Sequence, residues 1–344
     1  MDLPLVAITM GDPAGVGPEI VVKVAAAPEF SSNHRAFAIG DVQRLRQEVI
    51  NNRLALEITA LTAPEDFVPA AGVLHVLCGG PPLPANLPYG RVDARAGHAA
   101  FSYVRHAIEL ANAHRIAAIC TAPINKEALA AAGVKYPGHT EMLAELSGAS
   151  EVAMMLVSPE LRVILVTIHC SLRAAIEQLS IEMQLRVIHL ADQALRSVGI
   201  SNPRIAVAGL NPHAGEGGLF GREDLDIIAP AVRKARESGI DVSGPHAGDT
   251  VFMLARRGRY DIVVAQYHDQ GLIPIKLLGI EGGVNVTVGL PYIRTSPDHG
   301  TAFDIAGRRA ADARSLQVAL DMARDLTRNR NAARAKLGGT DARG

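Results

Sequence analysis

A chain of 344 residues exceeds what a single hydrophobic core usually supports, so two core-bearing lobes are expected. With 48% hydrophobic and 20% charged residues the composition excludes extensive disorder. A net charge of −1, with both signs interspersed and no basic stripe among aromatics, argues against a nucleic-acid partner.

The opening MDLPLVAITMGD enters an apolar segment without a basic leader, and no uninterrupted apolar stretch reaches membrane-spanning length. A cytoplasmic address with no membrane partner is the expectation. Cys78, Cys120 and Cys170 lie far apart without a CxxC pair, which speaks against a disulfide framework or a thiolate zinc site; each is expected as a small buried apolar residue.

In chain order, the β-branched runs Leu5–Thr9, Ala36–Ile39, Ile116–Cys120, Val152–Val157, Val163–Ile168, Ile205–Ala208, Ile262–Ala265 and Val284–Val288 read as strands. Between them Ala94–His114, Ile181–Val198, Glu223–Glu237 and Ser315–Thr327 carry apolar residues at helical spacing. This alternation predicts an α/β fold, with helices covering a mostly parallel sheet. The proline- and glycine-rich stretch from Cys78 to Gly90 reads as a surface loop or a boundary, and from Arg328 the apolar periodicity is lost, which predicts a frayed tail.

The first strand ends in GDPAGVGPEI, Gly11 to Ile20, where backbone N–H groups could face an anion or form a tight turn. It matches neither GxGxxG nor a P-loop, so any nucleotide binds outside a Rossmann motif. After the next strand ends come TAPINKEAL, with Lys126 opening a helix, and YPGHTE, where His139 and Thr140 follow Gly138 as donors suited to phosphate or carboxylate.

Three histidines each follow a strand: His169 after RVILVTI, His213 in NPHAGEGG and His268 after DIVVAQY. Ligands of open α/β sheets bind beyond the carboxyl ends of strands, so these three could converge as a catalytic divalent-metal site. Three unrelated loop histidines remain the competing reading, since no short-range ligand spacing supports the set. Asp249 and Asp269 could orient imidazoles or take a proton, with His246 a further, lesser candidate. Downstream, Lys276, Asn285 and Arg294, with Thr295 and Ser296, are donors that a small phosphorylated acid would satisfy. The run AQYHDQGLIPIK reads as a strand broken at His268, with Gly271 turning the backbone so that Lys276 returns toward the same ligand.

Taken together, MGDPAGVGPEI, PINK, GHTE, GLNPHAGEGGLFGRE, GDTVF, YHDQGLIPIK and VNVTVGLPYIRTSPDHGTAFDIAG resemble the 4-hydroxythreonine-4-phosphate dehydrogenase family, PdxA, including its 4-phospho-D-threonate/D-erythronate dehydrogenase branch. The resemblance runs in family order over nearly the whole chain. It implies a two-lobed α/β/α fold of the isocitrate/isopropylmalate dehydrogenase-like type, with an active-site cleft between lobes and a non-Rossmann NAD site. The lobes are expected at 1–125 plus 300–344, and at 126–299 with the metal and dimer-forming residues. Carried over by position, the metal ligands fall on His169, His213 and His268, and the substrate contacts on His139, Thr140, Lys276, Asn285 and Arg294.

The implied cofactors are NAD or NADP and a divalent metal (Zn, Mg, Co or Mn); the implied assembly is a homodimer whose metal site is shared between subunits. Lys276 is the first candidate for proton transfer and Asp249 a candidate orienting residue. The implied reaction oxidises the C3 hydroxyl of a 4-phosphorylated 3-hydroxy acid and then decarboxylates it. The named substrate is 4-phosphooxy-L-threonine, giving 3-amino-2-oxopropyl phosphate for pyridoxal phosphate synthesis; the alternative is 4-phospho-D-threonate or 4-phospho-D-erythronate, giving dihydroxyacetone phosphate. From the residues alone, a metal-dependent hydrolase or a phospho-ligand binding protein would display the same histidines and cations.

Overall fold

The computed structural model describes residues 3–136, 138–279 and 283–338. Among the described residues twelve strands are interspersed with helices: β1 (Leu5–Thr9), β2 (Arg35–Gly40), β3 (Glu57–Leu61), β4 (Val73–Cys78), β5 (Ala118–Thr121), β6 (Ala153–Val157), β7 (Arg162–Leu165), β8 (Ile205–Ala208), β9 (Val242–His246), β10 (Ile262–Ala265), β11 (Val284–Val288) and β12 (Ile293–Pro297). The α/β class is as the alternation of periods predicts.

The chain divides into two compact units, Met1–Ser150 with Leu290–Arg328, and Glu151–Gly289 with Asn329–Gly344. The first therefore runs past residue 125, because the helices Lys126–Ala131 and His139–Leu146 pack on the long helix Ala94–Asn112. Gly97 makes that contact close: a Cβ there would stand 2.0 Å from the Ala128 carbonyl oxygen. The unit resumes at Leu290, so that β12 is included.

In the first unit the strand order is β3-β4-β2-β1-β5-β12, with every pair parallel. Its core holds Ile8, Met10, Ile20, Phe37, Ile39 and Tyr103, all but inaccessible to water. Helix starts are set by side chains that satisfy orphan N–H groups: Asp93 accepts from Arg95 N and Asn125 from Ala128 N, each at 2.8 Å. The stretch after Cys78 is a loop within this unit, not a boundary between units.

The second unit orders its strands β11-β6-β7-β10-β8-β9. β7, β10, β8 and β9 are parallel neighbours, while β6 runs antiparallel to both β11 and β7. Leu156, Val163, Ala206, Val251, Val263 and Ile275 lie in its core. β10 lies between β7 and β8, so the loops leaving these three strands open at one edge of the sheet.

Several sequence expectations are corrected. His268 does not end a strand that later resumes: His268–Leu277 is a helix, entered from Tyr267, with Pro274 inside it. Gly271 permits its packing, since a Cβ there would come within 2.5 Å of Leu165 and 2.9 Å of Val163. Helix Arg314–Gly338 continues beyond Arg328, where Ala, Arg and Lys sustain a helix without an apolar stripe. Cys120 is buried, but Cys78 and Cys170 are exposed. Among the described residues, no helix is long and apolar enough to cross a membrane.

Candidate functional site

Four N–H groups of the glycine loop after β1 bond to the protein itself. Asp12 N donates to Pro123 O, Ala14 N to Asp12 Oδ1, Gly15 N to Asp12 O and Val16 N to Thr301 O, all at 2.8–3.0 Å. A Cβ on Gly11 would lie 2.4 Å from Pro123 O, and one on Gly17 2.3 Å from Met10 O. The glycines thus admit neighbouring backbone, as a tight strand-to-helix turn requires.

Elsewhere in the first unit, His139, Thr140 and Arg294 supply donors. His139 opens the helix His139–Leu146, half-buried, and its buried Nε2 has no hydrogen-bond partner. Burial, and then the nearby Arg294 charge, hold its pKa well below the usual histidine value, so the ring is neutral. Arg294 on β12 is 3% exposed, and burial lowers its pKa to about 10. Its Nη2 donates to Thr121 Oγ1 at 2.6 Å, across the β5–β12 pair. A guanidinium this deep is suited to a multiply charged oxyanion. Thr295 is otherwise committed, donating to Ala319 O at 2.8 Å.

In the second unit, the loop after β7 and the start of helix His268–Leu277 form a cavity of ≈ 450 Å³ lined by His169, Cys170, Tyr267, His268 and Asp269. The His169 and His268 rings stand 5.8 Å apart. His268 Nδ1 donates to Asp269 Oδ1 at 2.7 Å, which fixes the tautomer and leaves Nε2 as the lone-pair nitrogen.

His213 opens instead on a cavity of ≈ 490 Å³ with Asn211 and Asp249, which shares Tyr267 and Asp269 with the first. It sits in a left-handed turn, His213 to Gly217, with φ between 42° and 82° throughout. Asp224, fully buried, holds the entry to this turn by accepting from Leu210 N (2.8 Å), Asn211 N (3.1 Å) and Asn211 Nδ2 (3.0 Å).

The donor set fits a divalent ion as far as one chain goes. His169 and His268 form an imidazole pair with an orienting carboxylate, and His213 lies at the adjoining cavity. No cluster of three ligands closes among the described residues of one chain.

Lys276 is exposed in the last turn of the helix that His268 begins, eight residues and therefore about 12 Å along its axis. Asn285 projects from β11 with a buried Oδ1 that has no partner. Two glutamines to which the sequence pattern assigns no role, Gln266 and Gln270, bridge the strand ends. The only sequence signal was a polar residue closing the apolar run of β10.

The family model described as pyridoxal phosphate biosynthetic protein PdxA matches residues 32–323. The chain belongs to the PdxA family. It is 54% identical to a 4-hydroxythreonine-4-phosphate dehydrogenase of Beijerinckia indica, over 95% of this chain and 96% of the relative. It is 51% identical to a D-threonate 4-phosphate dehydrogenase of Cupriavidus necator, over 95% and 98%. Among solved structures, a 4-hydroxythreonine-4-phosphate dehydrogenase from Klebsiella pneumoniae matches with a TM-score of 0.89 at 47% identity, covering 94% of this chain and 98% of that one. Membership of the PdxA family makes this chain a dehydrogenase and sets the hydrolase and binding-protein readings aside.

Proposed function

We propose that this protein is an NAD-dependent, divalent-metal-dependent dehydrogenase that oxidises the C3 hydroxyl of a 4-phosphorylated 3-hydroxy acid and then releases carbon dioxide. The best named substrate is 4-phosphooxy-L-threonine, with 3-amino-2-oxopropyl phosphate as product, in pyridoxal phosphate synthesis. The observation that carries this reading is kinship over nearly the full chain with dehydrogenases whose names share a 4-phosphate on a threonine-derived acid. D-threonate 4-phosphate is the second reading, favoured by the Cupriavidus relative and by a Salmonella typhimurium relative at 48% identity.

Arg294, Thr140 and neutral His139 are proposed to hold the phosphate as a binding anchor. His169, His213 and His268 are proposed metal ligands, with Asn285 and Lys276 as substrate contacts. A divalent ion held by these histidines would supply a lower pKa for the C3 hydroxyl, and a bound nicotinamide would be the hydride acceptor. Asp249 shares a cavity with His213 and is proposed to orient the reacting groups. Lys276 is proposed to return a proton at the carbon that loses CO2.

A homodimer is proposed because large apolar side chains stand exposed on the second unit near these elements: Leu219 at 75%, Phe220 at 48%, Ile273 at 57% and Leu277 at 81%. A partner subunit would cover them and supply ligands to a shared metal site. The test is NADH formation with a panel of phosphorylated hydroxy acids differing at C2, with and without chelator. Chelator-sensitive NADH from the amino acid supports the first reading, and from the D-threonate analogue the second; NADH from neither refutes both.

A further inference from the structure

The three histidine-bearing loops leave β7, β8 and β10, and two glutamines tie the ends of those strands together. Gln266, fully buried at the end of β10, donates its Nε2 to Ala208 O at the end of β8, 2.8 Å away. Its side-chain oxygen accepts from Gln184 Nε2 on the helix Ile181–Ser197 behind the sheet. Its backbone oxygen accepts from Thr167 Oγ1 at 2.8 Å and Thr167 N at 3.3 Å, two residues before His169.

Gln270 lies two residues beyond His268. Its Oε1 accepts from Gln266 N at 2.7 Å, and its Nε2 donates to Gly209 O, also at 2.7 Å, at the start of the loop that carries His213. The same Nε2 fills the space beside Gly248, where a Cβ would stand 3.2 Å from it, at the start of the helix bearing Asp249. Both amides use donor and acceptor together, so rotating either one breaks two bonds.

We propose that Gln266 and Gln270 form an amide clamp that sets the mutual positions of the His169, His213 and His268 loops, and that Gln270 is a positioning residue for divalent-ion binding. The proposal rests on the metal reading of those histidines. Gln270 has the better placement for a test, because it is only partly buried and its loss leaves the Gln266 interior bonds intact. In Gln270→Glu the acceptor for Gln266 N survives, while a carboxylate oxygen is set against Gly209 O in place of a donor. Gln270→Ala removes both bonds and is the second variant.

Co2+ is titrated into the full-length protein and both variants by calorimetry, and the visible spectrum of each Co2+ form is recorded beside the melting curve of its metal-free form. The clamp predicts Co2+ binding weakened roughly 10- to 100-fold, with an altered spectrum, in both variants. Unchanged Co2+ affinity and spectrum in folded variants overturn it, whatever happens to the melting temperature. His268→Ala is the separate control: if the unsubstituted protein and this variant bind Co2+ alike, or the unsubstituted protein binds none, the metal reading fails and the clamp falls with it.

Discussion

Replacing Arg294 by Met should stabilise the ligand-free protein and cripple substrate binding at the same time. The guanidinium is 3% exposed, and its pKa falls from 12.5 to about 10, chiefly by burial. The folded state holds this proton less tightly than the unfolded chain, so below the folded value the charge costs the fold stability. The difference corresponds to about 3 kcal/mol at neutral pH. Losing the guanidinium's hydrogen bonds, the one to Thr121 Oγ1 among them, returns about 1 kcal/mol each, which leaves a net gain of at most about 2 kcal/mol for a side chain of similar length. If Arg294 meets the substrate phosphate, the variant also loses a charge-assisted contact of about 2–3 kcal/mol, or roughly 30- to 150-fold in substrate affinity. Thermal or urea unfolding of the ligand-free protein gives the first quantity, and the substrate-induced rise in melting temperature gives the second. A variant that is less stable than its parent yet binds substrate equally well would refute the argument, because it would make Arg294 a structural cation.

Asp269→Asn removes the carboxylate on His268 Nδ1 and should weaken divalent-ion affinity roughly 10- to 100-fold, read by calorimetry, with little change in melting temperature. Gly17→Ala forces a Cβ to 2.3 Å from the Met10 carbonyl oxygen, a backbone atom with no room to retreat, and should cost about 3 kcal/mol or more in a denaturant titration. His139 has a folded pKa well below 6.5, so the unfolded ring takes up a proton that the folded one refuses. Its contribution is complete above about pH 6.5 and declines as pH falls. His139→Gln should therefore flatten the acid side of a plot of melting temperature against pH, and an unchanged slope would count against a buried neutral ring. His213→Gly should raise ligand-free stability by about 1 kcal/mol, since glycine adopts the left-handed φ of 53° without strain, while Co2+ affinity falls.

The strands legible from sequence were those buried on both faces. β1, β8 and β10 begin and end where their apolar runs do, because a parallel interior strand has no polar alternation to blur its ends; β11, antiparallel to β6, matches the bounds of its β-branched run VNVTV. β3 was missed because its burial is broken, with Glu57 and Ala60 exposed. β12 was missed because Ile293–Pro297 reads as a polar turn, although Arg294, Thr295 and Ser296 are all buried. β7 ends three residues earlier than its apolar pattern, yet Val166 and Thr167 still bond Ala265 O and Gln266 O, so the chain keeps its course toward His169. Gly271 reads as a turn where a helix runs, since sequence cannot show that the glycine lets the helix approach Leu165. The histidines are candidates by their position after strands; the glutamines between them carry no such signal, because their meaning lies in which strands are neighbours.

Some costly conformations and environments fall on residues considered for chemistry. Arg294 keeps a charge in the interior, and His139 keeps a buried nitrogen without a partner. His213, Ala214 and Glu216 hold left-handed backbone, at about 1–2 kcal/mol each, where glycine would hold it more cheaply. Packing alone gives no reason for such choices, since aliphatic, amide or glycine replacements would fit the same places with less loss. The turn is kept in shape from outside, by the Asp224 carboxylate and by the Asn211 side chain that donates to both Glu223 and Asp224. A ligand-binding role would account for these costs at Arg294, His139 and the turn bearing His213, and the substitutions above test that role.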